Sequence, residues 1–451
     1  MKSFAAAAYL CTNASDATTG DFEIIRFFQN RCILEKRARN KRKIFNDPVY
    51  GFIHIPDPLI FDLIEHPYFQ RLRRIRQLGL TALVYPGANH TRFQHSLGAM
   101  HLMTQAIQTL RGKGVDISDE EALSAQIAIL LHDIGHGPFS HALEESIIHD
   151  LSHEDLSLMM METLNDQFDG KLAKAIRIFK GNYPRNFLSQ LIVGQLDMDR
   201  LDYIQRDSFF SGVAEGTVGF DRIIKMLHVF NNELVIEEKG IYSVEKFILA
   251  RRLLYWQVYF HKTVVSAEHL LVKILKRAEQ LAKEGVPLFT TPSLAFFLGN
   301  PFNAAAILRS SSHEKKEFLD TFSMLDDNDI LVAAKVWSDH DDPVLSDLCH
   351  RLINRNLFQI EIQGQPFDKE RVEKISAEVL KKTGIPKQDI GYFVFTDAIS
   401  NFAYSLVDHQ IKILGKDNTV TDITGVSDIL DQAIISRIVH KYILCYPKMN
   451  D

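Results

Sequence analysis

The sequence predicts a mainly α-helical fold with a smaller α+β lobe at the C-terminal end, and three observations carry that expectation. Apolar residues recur at helical spacing from 57 to 230, as in Leu63, Ile64, Leu72, Ile75 and Leu78, or Leu123, Ile127, Leu130 and Leu131. Glycine and proline punctuate the same region at Pro86-Gly87, Gly112–Gly114, Gly137-Pro138 and Gly181–Pro184. From Phe358 the pattern turns to alternation, in Phe358-Gln359-Ile360-Glu361-Ile362, and to the β-rich Tyr392-Phe393-Val394-Phe395. With 46% apolar and 24% charged residues, the 451-residue chain has material for a sizeable core.

Taken in order, residues 1–22 are small and polar and are expected to be disordered. The apolar stretch Phe4 to Cys11 is too short for a signal peptide and lacks a cleavage site, so a cytoplasmic protein is expected. Cys11, Cys32, Cys349 and Cys445 lie far apart with no CxxC pair, which suggests neither a zinc ribbon nor a disulfide framework. Residues 23–43 end in a charge run, Lys36, Arg37, Arg39, Lys41, Arg42 and Lys43, which reads either as a solvated tail or as an arm contacting phosphates. A hairpin is expected at 228–243, turning at Asn231-Asn232, then a long amphipathic helical stretch over 244–285. Further helices should fill 290–350, with breaks at Pro292 and Pro301. The expected parts are a flexible basic extension over 1–42, a main helical domain over 43–285, a helical extension over 286–357 and the α+β lobe over 358–451. No run of 18 apolar residues exists, so no membrane span is expected. With 51 basic against 57 acidic residues, the net charge of −6 argues against a general nucleic-acid coat but leaves room for local basic pockets.

Chemistry concentrates in His132-Asp133-Ile134-Gly135-His136-Gly137-Pro138-Phe139-Ser140-His141. This run ends the apolar helix Ala122 to Leu131. His132 and His136 are four apart and share a face; Asp133 and His136 are three apart. Pro138 disfavours helix at Gly137, so the chain must turn and restart near Ser140, with His141 and Glu144 one helical step apart. A lone histidine there would be a satisfied core residue. Three histidines, an aspartate and a glutamate within thirteen residues would be costly to bury without a metal or substrate. Two other segments supply what a metal would still need. Arg92-Phe93-Gln94-His95-Ser96 offers a further imidazole beside an arginine, and Asp197-Met198-Asp199-Arg200-Leu201-Asp202-Tyr203 a carboxylate on a helix. At ~100° per residue, Asp199, Tyr203, Asp207 and Arg200 fall within about one quadrant, with Asp197 roughly opposite. Leu188, Leu191, Ile192 and Leu196 mark that stretch as buried, which favours a site over a solvated face.

His95, the His132-Asp133 doublet and Asp199 reproduce the H…HD…D signature of the HD-domain metal-dependent phosphohydrolases. The wider wording resembles the SAM-and-HD-domain dNTP triphosphohydrolases and their bacterial dGTPase relatives. It includes Lys43-Ile44-Phe45-Asn46-Asp47-Pro48, Phe69-Gln70-Arg71-Leu72-Arg73, Pro86-Gly87-Ala88, Arg92 to Gly98 and the HDIGHGPFSH run. The match covers roughly 43–270, with one later echo at Arg355-Asn356-Leu357-Phe358 and no separate SAM domain. The resemblance implies a helical HD-domain phosphohydrolase core over 43–285 that converts a dNTP, dGTP being the first guess, to the deoxynucleoside and tripolyphosphate.

By the same resemblance His95, His132, Asp133 and Asp199 are the ligands of a divalent ion, Mn²⁺, Fe²⁺ or Mg²⁺. Arg92 and His136 neutralise the α-phosphate, while His141 with Glu144, and His153, handle proton transfers. Arg200, Tyr203, Arg251 and Lys262 resemble the triphosphate clamp. Gln77, with Leu78 beside it, and Asp207 match the groups at the sugar 3′-OH, and Tyr259 the wall that excludes a 2′-OH. Lys43, Ile44, Asn46, Gln70, Arg73 and Arg355 match an effector site at subunit contacts. A homotetramer activated by a second nucleotide, dATP or another dNTP or GTP, is thereby expected, although Glu65 stands where the family has a base-reading aspartate. Rival readings are another HD enzyme, a phosphodiesterase or nucleotidase, and a non-catalytic nucleotide or nucleic-acid scaffold using the basic arm. Against the first, His136 replaces the lysine of HDxGK, no GYP follows, and the HDxxED pattern of the alarmone hydrolases is not met, Gly135-His136 standing there instead.

Overall fold

A computed structural model describes residues 43–139, 148–149, 151–300, 302–303, 307, 309–401, 404–406 and 410–448. Cys11, Cys32, the basic run over 36–42, Pro301, and the proposed proton-transfer residues His141 and Glu144 lie outside the described residues.

The described chain opens with an antiparallel hairpin, β1 (Ile44–Asp47) and β2 (Gly51–His54), in which Asp47 faces Gly51. Asp47 makes the turn: its Oδ1 accepts from the backbone N–H of Val49 at 2.9 Å and of Tyr50 at 3.0 Å. Helix α1 (Pro58–Glu65) follows, with Asp57 as its cap and proline at its first position. Four long helices then build the centre: α2 (Arg92–Gly112), α3 (Asp119–Leu131), α4 (His153–Gln167) and α5 (Met198–Ser211). Both α3 and α5 pack on α2. Phe93, Leu97, Met100, Leu102, Met103, Ala106, Ile107 and Leu110 of α2 are all buried, while Gln94, His101, Gln105 and Gln108 line its other side.

A second hairpin, β3 (Leu227–Phe230) and β4 (Glu233–Glu237), turns at Asn231 and Asn232, both with positive φ. It ends at 237, earlier than expected, and helix α6 (Ile241–Leu254) begins soon after. The helical stretch expected over 244–285 is broken by a π-helical turn at Tyr255–Tyr259 before α7 (Lys262–Lys283) restarts with His261 as its cap. Helices α8 (Ser312–Ser323), α9 (Asp327–Trp337) and α10 (Pro343–Ile353) extend the body.

Past residue 357 the strands are β5 (Gln359–Gln363), β6 (Phe395–Asn401), β7 (Lys412–Leu414), β8 (Val420–Asp422) and β9 (Val439–Tyr446), with helix α11 (Lys369–Thr383) between β5 and β6. Strands β5, β9 and β6 form one antiparallel sheet with β9 central. By contrast, β7 pairs in parallel with β4, Ile413 opposite Ile236, so that β8, β7, β4 and β3 make a single sheet across distant parts of the chain. The architecture is mainly α-helical with strands toward the C-terminal end. No helix among the described residues is long and apolar enough to cross a membrane.

Two accessory helices brace the turn that follows α3. Arg71 is fully buried, and its guanidinium donates to the carbonyls of Ile134 at 2.8 Å and His136 at 2.6 Å. The same guanidinium lies 4.6 Å from the ring centroid of Phe322 on α8. Tyr68 donates to Asp320 at 2.8 Å, Arg74 pairs with Asp326, and the backbone N–H of Arg76 donates to Asp327 at 3.0 Å. Residues 68–76 are thus held between the turn and α8–α9.

Candidate metal centre

Each element delivers its side chain for a local reason. Thr91 and Gln94 form a capping box at the start of α2, which sets Arg92 on its first turn and His95 one turn further. His132 is the C-cap of α3, where Nδ1 lies 2.6 Å from the carbonyl of Ile129. A carbonyl only accepts, so Nδ1 carries the proton and Nε2 is left as a lone pair. Ser152 and Asp155 form the expected capping box on α4, at whose first position His153 stands. Asp197 caps α5 through the backbone N–H of Arg200 at 2.7 Å, which places Asp199 in the first turn.

The four proposed ligands do come together. Oδ1 of Asp199 lies 3.1 Å from Nε2 of His95 and 3.4 Å from Nε2 of His132. Asp133 stands beside them, 3.2 Å from His132 Nε2 and 3.7 Å from His95 Nε2. His95, His132 and Asp199 alone form the tight ligand group among the described residues, because Asp133 is drawn aside by Arg92 at 2.6 Å and His136 at 3.3 Å. Both Nε2 atoms are buried and make no well-formed hydrogen bond, although a carboxylate oxygen is close. Two orphaned imidazole lone pairs facing two carboxylates fit a divalent ion of borderline softness, and a hydrogen-bonded alternative is not built.

Burial disfavours the charged form of His95, but the neighbouring carboxylates of Asp199 and Asp202 outweigh it and push its pKa up to about 10. His132 is shifted up as well, burial being overcome by Asp133 and Asp199. Asp199 is held far below the carboxylate range: burial opposes this, and His132 and His95 prevail. His136 moves the other way, to about 3, through burial and the Arg92 charge, so at neutral pH it is an uncharged imidazole. Its ring stacks on His153 at 3.8 Å and 14°. Arg92 is then the formal cation next to Asp133, and His136 offers a hydrogen bond.

The residues expected at the sugar form a chain. His90 Nε2 lies 2.7 Å from Oδ1 of Asp207, and Tyr259 donates its hydroxyl to Oδ2 at 2.7 Å. Gln77 joins through its backbone N–H, which donates to the carbonyl of His90 at 3.0 Å; its side-chain oxygen is buried without a partner. Leu78 is half-buried against the core. Tyr203 meets Tyr259 edge-on at 6.4 Å, and Arg251 lies over Tyr255 at 5.8 Å. Arg200 is turned back onto Asp197 and the carbonyl of Gly194, and Lys262 is exposed at the start of α7.

Of the residues expected at an effector site, Lys43, Ile44, Asn46, Gln70 and Arg73 lie on or beside the first hairpin and α1, whereas Arg355 packs at Leu83. Lys43 lies over Phe61 at 5.6 Å, and Ile44 and Asn46 are exposed on β1. Arg73 stacks on Phe93 at 3.6 Å and donates to Gln70 at 2.9 Å, while Glu65 is close enough to act on its charge. Arg355 adopts positive φ and donates to the carbonyl of Leu83 at 2.9 Å.

Sequence reasoning missed His90, Arg71 and the support behind His95. Nδ1 of His95 lies 2.7 Å from Asp202, which pairs with Arg206, which pairs with Asp47. Helical arithmetic held the signal: at ~100° per residue, Asp202 and Arg206 lie about 60° and about 20° from Asp199.

Comparison with known proteins agrees with this geometry. Residues 92–207 match the HD domain family and residues 218–286 the HD associated region. The uncharacterized protein YwfO of Bacillus subtilis is 37% identical over 372 residues, 81% of each chain. The deoxynucleoside triphosphate triphosphohydrolase SAMHD1 homolog of Dictyostelium discoideum is 33% identical over 266 residues, which span 54% of this chain and 51% of that one. Among solved structures, a phosphohydrolase from Bacteroides thetaiotaomicron superposes with a TM-score of 0.87 at 52% identity, over 90% of this chain and 100% of that one.

Proposed function

This chain belongs to the HD-domain phosphohydrolase family, on the branch that includes the SAM-and-HD-domain dNTP triphosphohydrolases, and from that premise we propose that it hydrolyses deoxynucleoside triphosphates to deoxynucleoside and tripolyphosphate. The observation that carries the reading is the pair of orphaned imidazole nitrogens converging on Asp199 with Asp133 and Arg92 alongside. His95, His132, Asp133 and Asp199 would hold the ion, Mn²⁺, Fe²⁺ or Mg²⁺. When bound, such an ion acidifies a water and polarises a phosphorus–oxygen bond.

The chain's own groups supply the rest. Arg92 brings positive charge and His136 an N–H to the α-phosphate, where negative charge builds as the water oxygen bonds to phosphorus. The bond from that phosphorus to the 5′-oxygen breaks, and the leaving oxygen gains a proton as the water loses one. His153, with His141 and Glu144, serves these transfers. Arg251, Lys262 and Arg200 bind the β- and γ-phosphates once Arg200 leaves Asp197, with Tyr203 beside them. Asp207 and Gln77 hold the 3′-OH, with Leu78 beneath, and the Tyr259 ring fixed by Asp207 leaves a 2′-OH no room. We assign dGTP as substrate and a cytoplasmic homotetramer as the working form. A second nucleotide such as dATP activates it at Lys43, Ile44, Asn46, Gln70, Arg73 and Arg355.

The test is incubation with each dNTP alone and in pairs, with Mn²⁺ or with chelator, and chromatography of the products. Metal-dependent tripolyphosphate release is expected. Release of orthophosphate alone, full activity in chelator, or GTP turned over as fast as dGTP would each overturn part of the scheme. Rising dATP at fixed low dGTP should raise the rate by about 5–150-fold, the usual range of allosteric coupling. Lys43→Ala and Arg73→Ala should blunt that rise.

A further inference from the structure

The metal centre has a buried ionic support that reaches out to the edge of the molecule. Behind His95, Oδ2 of Asp202 accepts from Nδ1 at 2.7 Å and from Arg206 Nε at 2.9 Å, and its Oδ1 accepts from Arg206 Nη2 at 3.0 Å. The other end of the same guanidinium donates to Oδ2 of Asp47 at 2.7 Å. The side chains of His95, Asp202 and Arg206 are wholly buried and that of Asp47 is 4% exposed. Room for this chain of charges comes from Gly98, one turn after His95 on α2. A Cβ there would lie 2.0 Å from Asp202 Oδ1 and 2.2 Å from Arg206 Nη2.

Burying four ionisable groups is expensive unless each fixes the next, and removing one partner strands the others. A carboxylate on Nδ1 settles which tautomer His95 adopts and leaves Nε2 facing Asp199, as outer-shell carboxylates do for metal-bound histidines. Asp47 also closes the β1–β2 turn with the same side chain. Ile44 and Asn46 share its strand.

We propose that Arg206 and Asp47 are positioning residues for the metal ligand His95, and that through Asp47 the seating of strand β1 and the aim of His95 Nε2 are set together. The inference deepens the proposed function, on which it rests, by giving the effector-bearing strand a buried route to the metal centre. A shift of β1 moves Asp47, loosens Arg206 from Asp202, and relaxes the carboxylate that orients the imidazole.

The experiment measures Mn²⁺ affinity by titration calorimetry on the full chain, apart from any assay of turnover. Asp47→Asn is the first variant, because an amide oxygen still accepts from Val49 and Tyr50 while the charge facing Arg206 is lost. Weakening by about 10-fold is expected, at the low end of the 10–100-fold cost of outer-shell changes. Gly98→Ala should weaken Mn²⁺ binding as well, with every charge kept. Val344→Ala, in the buried face of α10, lowers the melting temperature without touching the route and should leave the affinity unchanged. In a double-mutant cycle, Asp47→Asn and Asp202→Asn should be strongly non-additive. An Asp47→Asn protein that binds Mn²⁺ as the wild type does would overturn the proposal while leaving the hydrolase reading intact. A wild type that binds Mn²⁺ but cleaves no dNTP would sink that reading and leave the positioning role standing.

Discussion

Asp133 illustrates how one carboxylate carries several obligations. It faces two imidazoles of the metal group, accepts from Arg92 at 2.6 Å and lies 3.3 Å from His136. Asp133→Ala should therefore lose bound metal and turnover together, read by metal analysis of the purified protein beside its activity. Asp327 behaves differently. Burial pushes its pKa up to about 6, against the backbone hydrogen bonds it accepts from Arg76 and Phe139. Between about pH 4 and 6 the native state holds this proton while the unfolded chain, with a pKa near 3.9, has released it. Its contribution to stability consequently falls as pH rises through that window, by about 2–3 kcal/mol in all. Asp327→Asn removes this dependence. The stability of the variant relative to the wild type should rise by about that amount between pH 4 and pH 7 in urea unfolding, and a constant difference would show that the carboxylate is not strained. His95, His132 and Asp133 were legible as a cluster because titratable groups stand out against an apolar helix. Asp202 and Arg206 were not, because a buried ion pair at helical spacing reads like any solvated pair until burial is known.

At the level of elements, close approach decides what is replaceable. Gly135 follows the His132-Asp133 doublet, and a Cβ there would lie 2.2 Å from the backbone nitrogen of Ser157 and 2.3 Å from the carbonyl oxygen of His153. Backbone cannot step aside, so Gly135→Ala should push α4 off the turn, part the His136–His153 stack, lower the melting temperature by several degrees and abolish turnover. Gly112, at the end of α2, has nothing within 4 Å of such a Cβ. Gly112→Ala should leave activity unchanged and gain up to about 1 kcal/mol from helix propensity. A thermal melt of the two variants separates the cases, and equal melting temperatures would refute the packing argument. The helices themselves were readable from apolar periodicity and capping boxes. The π-helical break at Tyr255–Tyr259 was not, because no glycine or proline marks it. The second hairpin gives way at Glu238–Gly240 to a 3-10 turn, and a Cβ at Gly240 would lie 2.6 Å from Ile236, a close approach that periodicity does not show.

For the whole molecule, the sheet β8–β7–β4–β3 matters most, since it joins the hairpin at 227–237 to strands beyond residue 411. A chain stopped at residue 357 would leave β4 with an unpaired edge and uncover the part of α7 whose Ser266 donates to the carbonyl of Phe358 at 2.8 Å. Such a truncation should lose soluble yield and scatter light, and a monodisperse product with the full-length melting temperature would refute the sheet's structural role. The sequence revealed the β3–β4 hairpin of this sheet but not β7 and β8, since strands that meet across the chain leave no shared signal in either one. The alternation it showed at 358–362 belongs to the other sheet.

The same pairing sets a timetable for birth. Ile236 leaves the ribosome 177 residues before Ile413, its partner on β7. At about 5–20 residues per second, the second hairpin therefore waits on the order of 10–35 s with one edge open. All four proposed metal ligands, complete by Asp199, have emerged by then. A nascent chain therefore carries the whole proposed metal group before its sheet is closed.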